Sequence, residues 1–531
     1  MINAIIVDKR DTVAMVTASV EAGQDILVTG TGQVIQAVEP IKAGHKVALI
    51  RLEAGEAPLK YGIPIGRMLS AVDPGGWIST HNLEDTTEEL CGEYCRRFRE
   101  SGRLAQAHPP IGSSVRMIKA YPRKNGSFGI RNYIMVIPTA PDMNGIAEAI
   151  SERTGCAWFV CDRTRLDKGK VSDYTRNAMI FTGRNPNLYA ALILGAPIAD
   201  ADGKEVFEAI AETGKPLHYL TVAEGEREKA VSEGAAVIEG YQKAASALQR
   251  EPVSMEGFGL TVHCSGSDWT TAINGNSAVG AAADRIVRHG GRIFMTEWME
   301  WSGSQHLMAE QCATYELGLD LLDAVDRVRA TVLRETGKPV EYMNPVQANK
   351  DAGLTTLVEK STGTIRKMGS TPIQGLLRYC EQPAGKGIWL PMHDSVWPPT
   401  SAIYGSLSGA HMSVLNTGIG FLYFELPHML CIRTTGNTET FNNPAFKLDF
   451  NAGIASEGKT VEETGKLLFE YLIRVAEGDE EPKAEIDKVR AFNMYYYTAN
   501  EFGAETDRSR ILPASVTNYH EQCRRYTDSI K

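Results

Sequence analysis

Residues 262–280 read VHCSGSDWTTAINGNSAVG, an apolar strand that runs into a small, polar turn and then into a helix. The same grammar recurs from about residue 120 onward. Apolar strand candidates YIMVIPTA (133–140), AWFVC (157–161), AALILGA (190–196), GLTVHC (259–264) and RIFMTE (292–297) alternate with helical stretches such as 276–288 and 303–334. Alternation of this kind predicts α/β layers around a largely parallel sheet, whose ligands bind at the carboxyl ends of the strands. The polar turn at 264–276 falls at such an end. It offers backbone N–H groups and a helix start that suit a carboxylate, although Ser, Asp and Asn are also ordinary turn formers.

The opening of the chain has a different texture. AIIVD, VAMVTA, DILVTG and KVALIRL are short strands separated by Gly, Asp and Lys turns, the spacing of a small all-β module over residues 1–83. It ends on KYGIPIGRMLSAVDPGGWISTHN (60–82), where a Gly-Gly turn presents Thr80, His81 and Asn82. Residues 84–119 are polar, helical or irregular, and carry Pro109-Pro110 and Gly112-Ser113-Ser114, so they read as a linker. Residues 120–531 form the α/β region, as one or two subdomains. A chain of 531 residues exceeds a single ordinary core.

Composition narrows the functional class. Apolar residues are 43% and charged residues 23% of the chain, and no run reaches the roughly 18 apolar residues of a membrane span. Asp8, Lys9, Arg10 and Asp11 interrupt the place where a signal peptide needs its apolar stretch, so a cytoplasmic location is expected. The net charge of −10, without a basic cluster, argues against nucleic acid as a partner. Nine scattered cysteines match neither a disulfide framework nor a zinc ribbon.

Two further features bear on chemistry. Gly453 to Thr460 satisfies the phosphate-loop pattern GxxxxGK[ST], which raises a nucleotide-binding transferase as an alternative. Too little chain follows it to build such a domain, and Thr460-Val-Glu-Glu463 has the form of a capping box opening a helix. The segment IFMTEWMEWSGSQHLM contributes Glu297, Glu300 and His306, components of an acid–base pair or a metal site. Arg131-Asn132, Glu359-Lys360 and His393-Asp394 are weaker candidates, each common on solvated surfaces.

Taken in order, these residues resemble the altronate/galactarate dehydratases of sugar-acid catabolism, whose relatives include the sulfolactate sulfo-lyases. The resemblance spans nearly the whole chain: GHKVAL (44–49), LKYGIPIG (59–66) and Thr-His-Asn look like a SAF (β-clip) module. GSFGIRNY (126–133), CSGSD (264–268), GNSAVGAAADRIVRHGG (275–291), TEWMEWSGSQHL (296–307) and GLTTLVEKSTG (353–363) match the larger part. It implies a hydro-lyase that removes water from a 2,3-dihydroxy acid to leave a 2-keto-3-deoxy acid, through an enediolate stabilised by a divalent cation. Iron is the family's typical metal, with manganese or magnesium as substitutes. A sulfo-lyase, another carbon–heteroatom lyase or a non-catalytic ligand-binding paralogue are the alternatives, and a homodimer is compatible with the pattern. Mapped onto this chain, the resemblance implies His81, Asp142, Cys264 and Glu297 as metal ligands. His81, His306 and Lys360 are implied as catalytic groups, with His306 or Lys360 the base. Asn82, Arg131, Asn132, Ser267, Asp268 and Asn274 are expected to bind substrate.

The chain departs from the family pattern in several places. Ser79 stands where the family has the first histidine of His-Thr-His-Asn, and Asp142 where it has a cysteine. Gly195-Ala196-Pro197 replaces a Gly-Cys-Glu, and Ile419 replaces an arginine. Fewer thiolates and an added carboxylate shift the expected metal from iron toward magnesium or manganese. Trp269, Trp298, Trp301 and Trp397 suggest a less hydroxylated, more apolar acid.

Overall fold

The computed structural model describes residues 2–493 apart from 113, 162–165, 168–169, 172, 196–199, 393–399, 421–424 and 488. Cys523, His393, Asp394, Trp397, Ala196 and Pro197 lie outside the described residues.

The N-terminal module is all β. Its six-stranded sheet runs Val34–Gln36, Asp25–Thr29, Ile2–Ile5, Val13–Val16, Lys46–Ala48, Trp77–Ile78. Every pairing is antiparallel except that of Ile2–Ile5 with Asp25–Thr29. One side buries Val16, Ile26, Val28, Ile35 and Val47. On the other, Val13, Ala48, Ile65, Met68, Ile78 and Leu83 cluster with Val358 of the large region, so the module completes its second core only on docking. A two-residue hairpin joins Leu59–Lys60 to Ile63–Pro64. Both turn residues, Tyr61 and Gly62, have positive φ, the turn geometry that matches strand twist.

The stretch expected to be a linker contains a packed helix, Thr87–Ser101, ended by Gly102 in the left-handed conformation. Its Cys91, Cys95 and Phe98 are buried, and Arg99 pairs with Asp323 and Asp326 on the long helix Tyr315–Thr336. The apolar face at 91, 95 and 98 follows helical spacing, which the dense charges around it obscured.

The expected α/β alternation is present, with one difference: the strands divide between two parallel sheets. Five strands run Leu217–Thr221, Leu188–Gly195, Tyr133–Pro138, Ala157–Val160, Ala491–Asn493. Seven run Ile373–Leu377, Gly387–Pro391, Arg292–Met295, Gly259–Ser265, Met412–Thr417, Leu430–Thr435, Phe450–Asn451. The strand at 491–493 crosses back to the first sheet, so sheet membership does not follow chain order. The helical stretch expected at 303–334 is broken at 311–314, where Cys312 bridges to Ile373.

Gly453 to Thr460 is no phosphate loop. Residues Ala452–Ser456 form a 3₁₀ turn, and Thr460 caps the helix Val461–Glu477 with both reciprocal bonds of a capping box to Glu463. Among the described residues no helix is long and apolar enough to cross a membrane.

Candidate active site

The strand Gly259–Ser265 sits at the centre of the seven-stranded sheet, and its side chains are buried until Ser265. The chain then turns at Gly266, where φ is +56°, and enters a six-residue π-helical turn, Thr271–Asn276, ahead of the helix Ser277–Arg288. A π turn is a costly irregularity often retained at functional sites. Asp268 holds it open: its Oδ1 accepts from the Thr270 hydroxyl at 2.6 Å, the Thr271 N–H at 2.9 Å and the Thr271 hydroxyl at 3.0 Å. A side chain at Gly418 would strike that carboxylate, which accounts for a glycine there.

Two lysines converge on this loop from consecutive elements. Lys360 lies on the helix Leu357–Ile365, and Lys367 on the 3₁₀ turn that follows; seven residues apart is two helical turns, one face. Lys367 Nζ donates to Cys264 Sγ at 3.0 Å and is ion-paired with Glu297, which also accepts the Cys264 N–H on both oxygens at 3.1 Å. Lys360 Nζ donates to Asn344 Oδ1 at 2.5 Å and Asn349 Oδ1 at 3.0 Å, and lies 2.7 Å from Glu300 Oε2. Asn349 in turn donates to the carbonyl of Ser267 at 2.8 Å, which ties the Lys360 cluster to the Cys264 loop.

Burial sets the charges. It raises the Cys264 thiol and the Glu297 carboxyl above their ordinary values, against the pull of Lys367. Burial alone would lower Lys367; the Cys264 and Glu297 partners overcome it and hold the ammonium firmly protonated. His263, one residue earlier, is brought down to about 3 by burial and by Lys367.

Of the residues predicted from sequence, Cys264, Ser267, Asp268, Glu297 and Lys360 gather here. Asn274 stands nearby, but donates to Gly436 O and accepts from Ser456, both parts of the fold. Asn82 is buried inside its own turn, accepting the Ser79 N–H at 3.0 Å and donating to Trp77 O at 2.8 Å. His81 is exposed, and among the described residues its partner is the Trp77 ring, 4.9 Å away. His45, absent from the sequence expectations, sits deeper: Trp77 donates to its Nδ1, so its Nε2–H faces Asp351 O.

His306 is buried and stacked on Tyr94, and burial lowers it to about 4. Arg131 and Asn132 precede the strand Tyr133–Pro138, at the amino end of the other sheet. Arg131 donates there to Val475 O, and Asn132 lines a separate cavity of about 170 Å³ with Glu425 and Glu485. Trp298 and Trp301 are buried core residues, while Trp269 packs against Gly44 of the β module. Ile419 is 47% exposed and its N–H donates to Gly266 O, at the rim of the loop.

The described residues do not build the expected metal site. Asp142 lies beyond the strand Tyr133–Pro138 of the five-stranded sheet, and no three His, Cys, Asp or Glu side chains among the described residues are grouped to hold a metal ion. Between Cys264 and Glu297 stands the Lys367 ammonium, a fixed cation where those two ligands would need a mobile one. Sequence alone does not single out Lys367, since a lysine flanked by Arg366 and Met368 looks like surface. Its two-turn spacing from Lys360 is the available signal.

Acid–base side chains at the carboxyl edge of a parallel sheet, closed by a docked β module, define an α/β enzyme. Comparison with known families makes this specific. Residues 2–86 match the altronate/galactarate dehydratase SAF domain, 120–246 the second domain of D-galactarate dehydratase/altronate hydrolase, and 255–499 the D-galactarate/altronate dehydratase C-terminal domain. The altronate dehydratase of Bacillus subtilis (strain 168) is 27% identical over 491 residues, covering 89% of this chain and 94% of that protein. That of Escherichia coli (strain K12) is 27% identical over 486 residues, 88% and 94%. The (2R)-sulfolactate sulfo-lyase subunit beta of Chromohalobacter salexigens is 28% identical over 366 residues, 68% of this chain and 93% of that subunit. The chain belongs to the altronate/galactarate dehydratase family, and it is a lyase.

Proposed function

We propose that the chain dehydrates a hydroxylated sugar acid of the 2,3-dihydroxy type to its 2-keto-3-deoxy acid. The observation that carries this reading is the pair of ammonium groups, Lys360 and Lys367, held against the partly buried Glu300 and the buried Glu297 beside the Cys264–Asp268 loop. Taking a proton from the carbon next to a carboxylate places two negative charges on one enediolate. Fixed cations in a water-poor site stabilise such charge without reorganising.

In the resting site each lysine is neutralised by its glutamate. A substrate carboxylate that takes over a lysine releases that glutamate to act as base, and a carboxyl raised by burial, as Glu297 is, is a better proton acceptor than a solvated one. Glu297 or Glu300 then removes the α-hydrogen. The hydroxyl on the β-carbon departs as water with a proton from a neighbouring acid, the Cys264 thiol or the Lys360 ammonium. The enol formed tautomerises to the keto acid, so the sum is loss of one water.

The test is a keto-acid assay over aldonates, aldarates and sulfolactate, run with chelator and with added Fe²⁺, Mn²⁺ or Mg²⁺. A keto acid from a sugar acid, lost in Lys360→Met and Lys367→Met, is the expected result. Folded protein that yields no keto acid from any member under any metal condition refutes the reading. Sulfite release from sulfolactate alone would change the leaving group from water to sulfite.

A further inference from the structure

We propose that the N-terminal β module supplies positioning residues to the active site: Lys46 and Lys60 grip Glu359, and through it fix the helix that presents Lys360. The inference rests on the role of Lys360 proposed above, and deepens it.

The grip is fully buried. Lys46, Lys60 and Glu359 are 0%, 1% and 0% exposed. Lys46 Nζ lies 2.9 Å from Glu359 Oε2 and also donates to Gly353 O and Thr355 Oγ1; Lys60 Nζ lies 2.6 Å from Glu359 Oε1. Glu359 and Lys360 are neighbours on a helix, so their side chains point about 100° apart. With Glu359 held on the module side, the helix cannot rotate, and Lys360 is held toward Asn344, Asn349 and Glu300.

The module and the first residues after it also satisfy the start of that helix. Asp85 Oδ2 accepts the Leu357 N–H, the Thr87 hydroxyl accepts the Val358 N–H, and Thr356 donates to Ile65 O. The two N–H groups are orphans of a first helical turn, normally met by local caps or water. Here they are met from residues 85 and 87, a long way off in sequence. The same edge of the module reaches the catalytic loop, since a side chain at Gly44 would collide with Trp269.

Lys360 can be followed without knowing the substrate. Full-length wild type and Lys60→Met are labelled briefly with acetic anhydride, and acylation of Lys360 is measured by peptide mass spectrometry relative to exposed Lys229. Lys46→Met serves as a second variant should Lys60→Met not fold. Val47→Ala, a core truncation in the same module that leaves the grip intact, is the control for general loosening.

The grip predicts that Lys60→Met acylates Lys360 about tenfold faster, because local opening of the helix becomes cheaper, whereas Val47→Ala stays near wild type. On whichever acid proves to be the substrate, turnover falls about 100-fold with little change in KM, the consequence of a misplaced group. Lys360 labelling in Lys60→Met and Lys46→Met that stays at the level of Val47→Ala overturns the proposal. Faster labelling with unchanged turnover leaves the grip standing and overturns the role of Lys360 in the reaction.

Discussion

Replacing Glu359 by Gln tests the buried cluster most directly. The wild-type cluster holds two ammoniums and one carboxylate, a net charge of plus one with essentially no solvent. The amide keeps the shape and removes the charge, leaving two like charges against each other. Breaking a buried pair by deleting one partner costs about 3–5 kcal/mol. A second route gives a similar size: burial would raise the Glu359 carboxyl, but Lys46 and Lys60 hold it at about 2 against an ordinary 4.5, a difference of about 3 kcal/mol. Because this carboxyl is depressed in the folded state, its contribution is complete above pH 4.5 and disappears as the pH falls toward 2. Lys60→Met, by contrast, leaves the neutral pair Lys46–Glu359 and should cost less. The double variant Glu359→Gln/Lys60→Met returns to a single buried charge and should be more stable than Glu359→Gln alone. Urea unfolding at pH 7 ranks the three, converted to free energy only where the slope of the transition matches wild type. Repeating wild type and Glu359→Gln at falling pH should bring them together below pH 4.5. A Glu359→Gln penalty under about 1 kcal/mol, or a double variant less stable than Glu359→Gln, refutes the charge count.

Three further outcomes follow from other parts of the molecule. Lys367→Met should lower turnover by about 10³-fold, the scale of removing one preorganised stabilising donor; retained turnover in the folded variant would remove Lys367 from the site. His306→Phe should keep wild-type turnover and an unchanged pH profile between pH 6 and 8, because burial already holds His306 neutral with a value of about 4. Thr460→Ala should destabilise the protein by about 1 kcal/mol through loss of the helix cap, whereas Lys459→Ala should change neither stability nor ATP binding, which calorimetry should find absent in both proteins.

Legibility in the sequence followed the range of the interaction. The strands from 133 to 297 were readable because a buried parallel strand is a short apolar run bounded by turn residues, all local information. Their division between two sheets was not, since it depends on residues 491–493 returning to pair with Ala157–Val160. The helix at 87–101 reads as a linker in sequence because three apolar contacts, Cys91, Cys95 and Phe98, have to outweigh seven charged neighbours, and only the partner helices show that they do. The site divides the same way. Cys264, Ser267 and Asp268 were visible because a polar loop after an apolar strand is a local pattern. Arg131, Asn82 and Asn274 carry equally suggestive side chains, yet each is occupied by backbone groups of the fold.

Lys46 and Lys60 are the instructive failures. Within the module, each lies in or beside a strand of two or three residues, where lysine ordinarily marks a solvated edge. A fully buried lysine is uneconomical unless a partner offsets its desolvation, and the partner, Glu359, lies about 300 residues away on a helix that itself looks amphipathic and exposed in sequence. The adjacent pair Glu359-Lys360 therefore reads as an ordinary surface charge couplet. In the fold the two side chains point about 100° apart, one into the module and one toward the catalytic loop. That separation is what allows a small β domain without a predicted base of its own inside the site to control where the site's lysine stands.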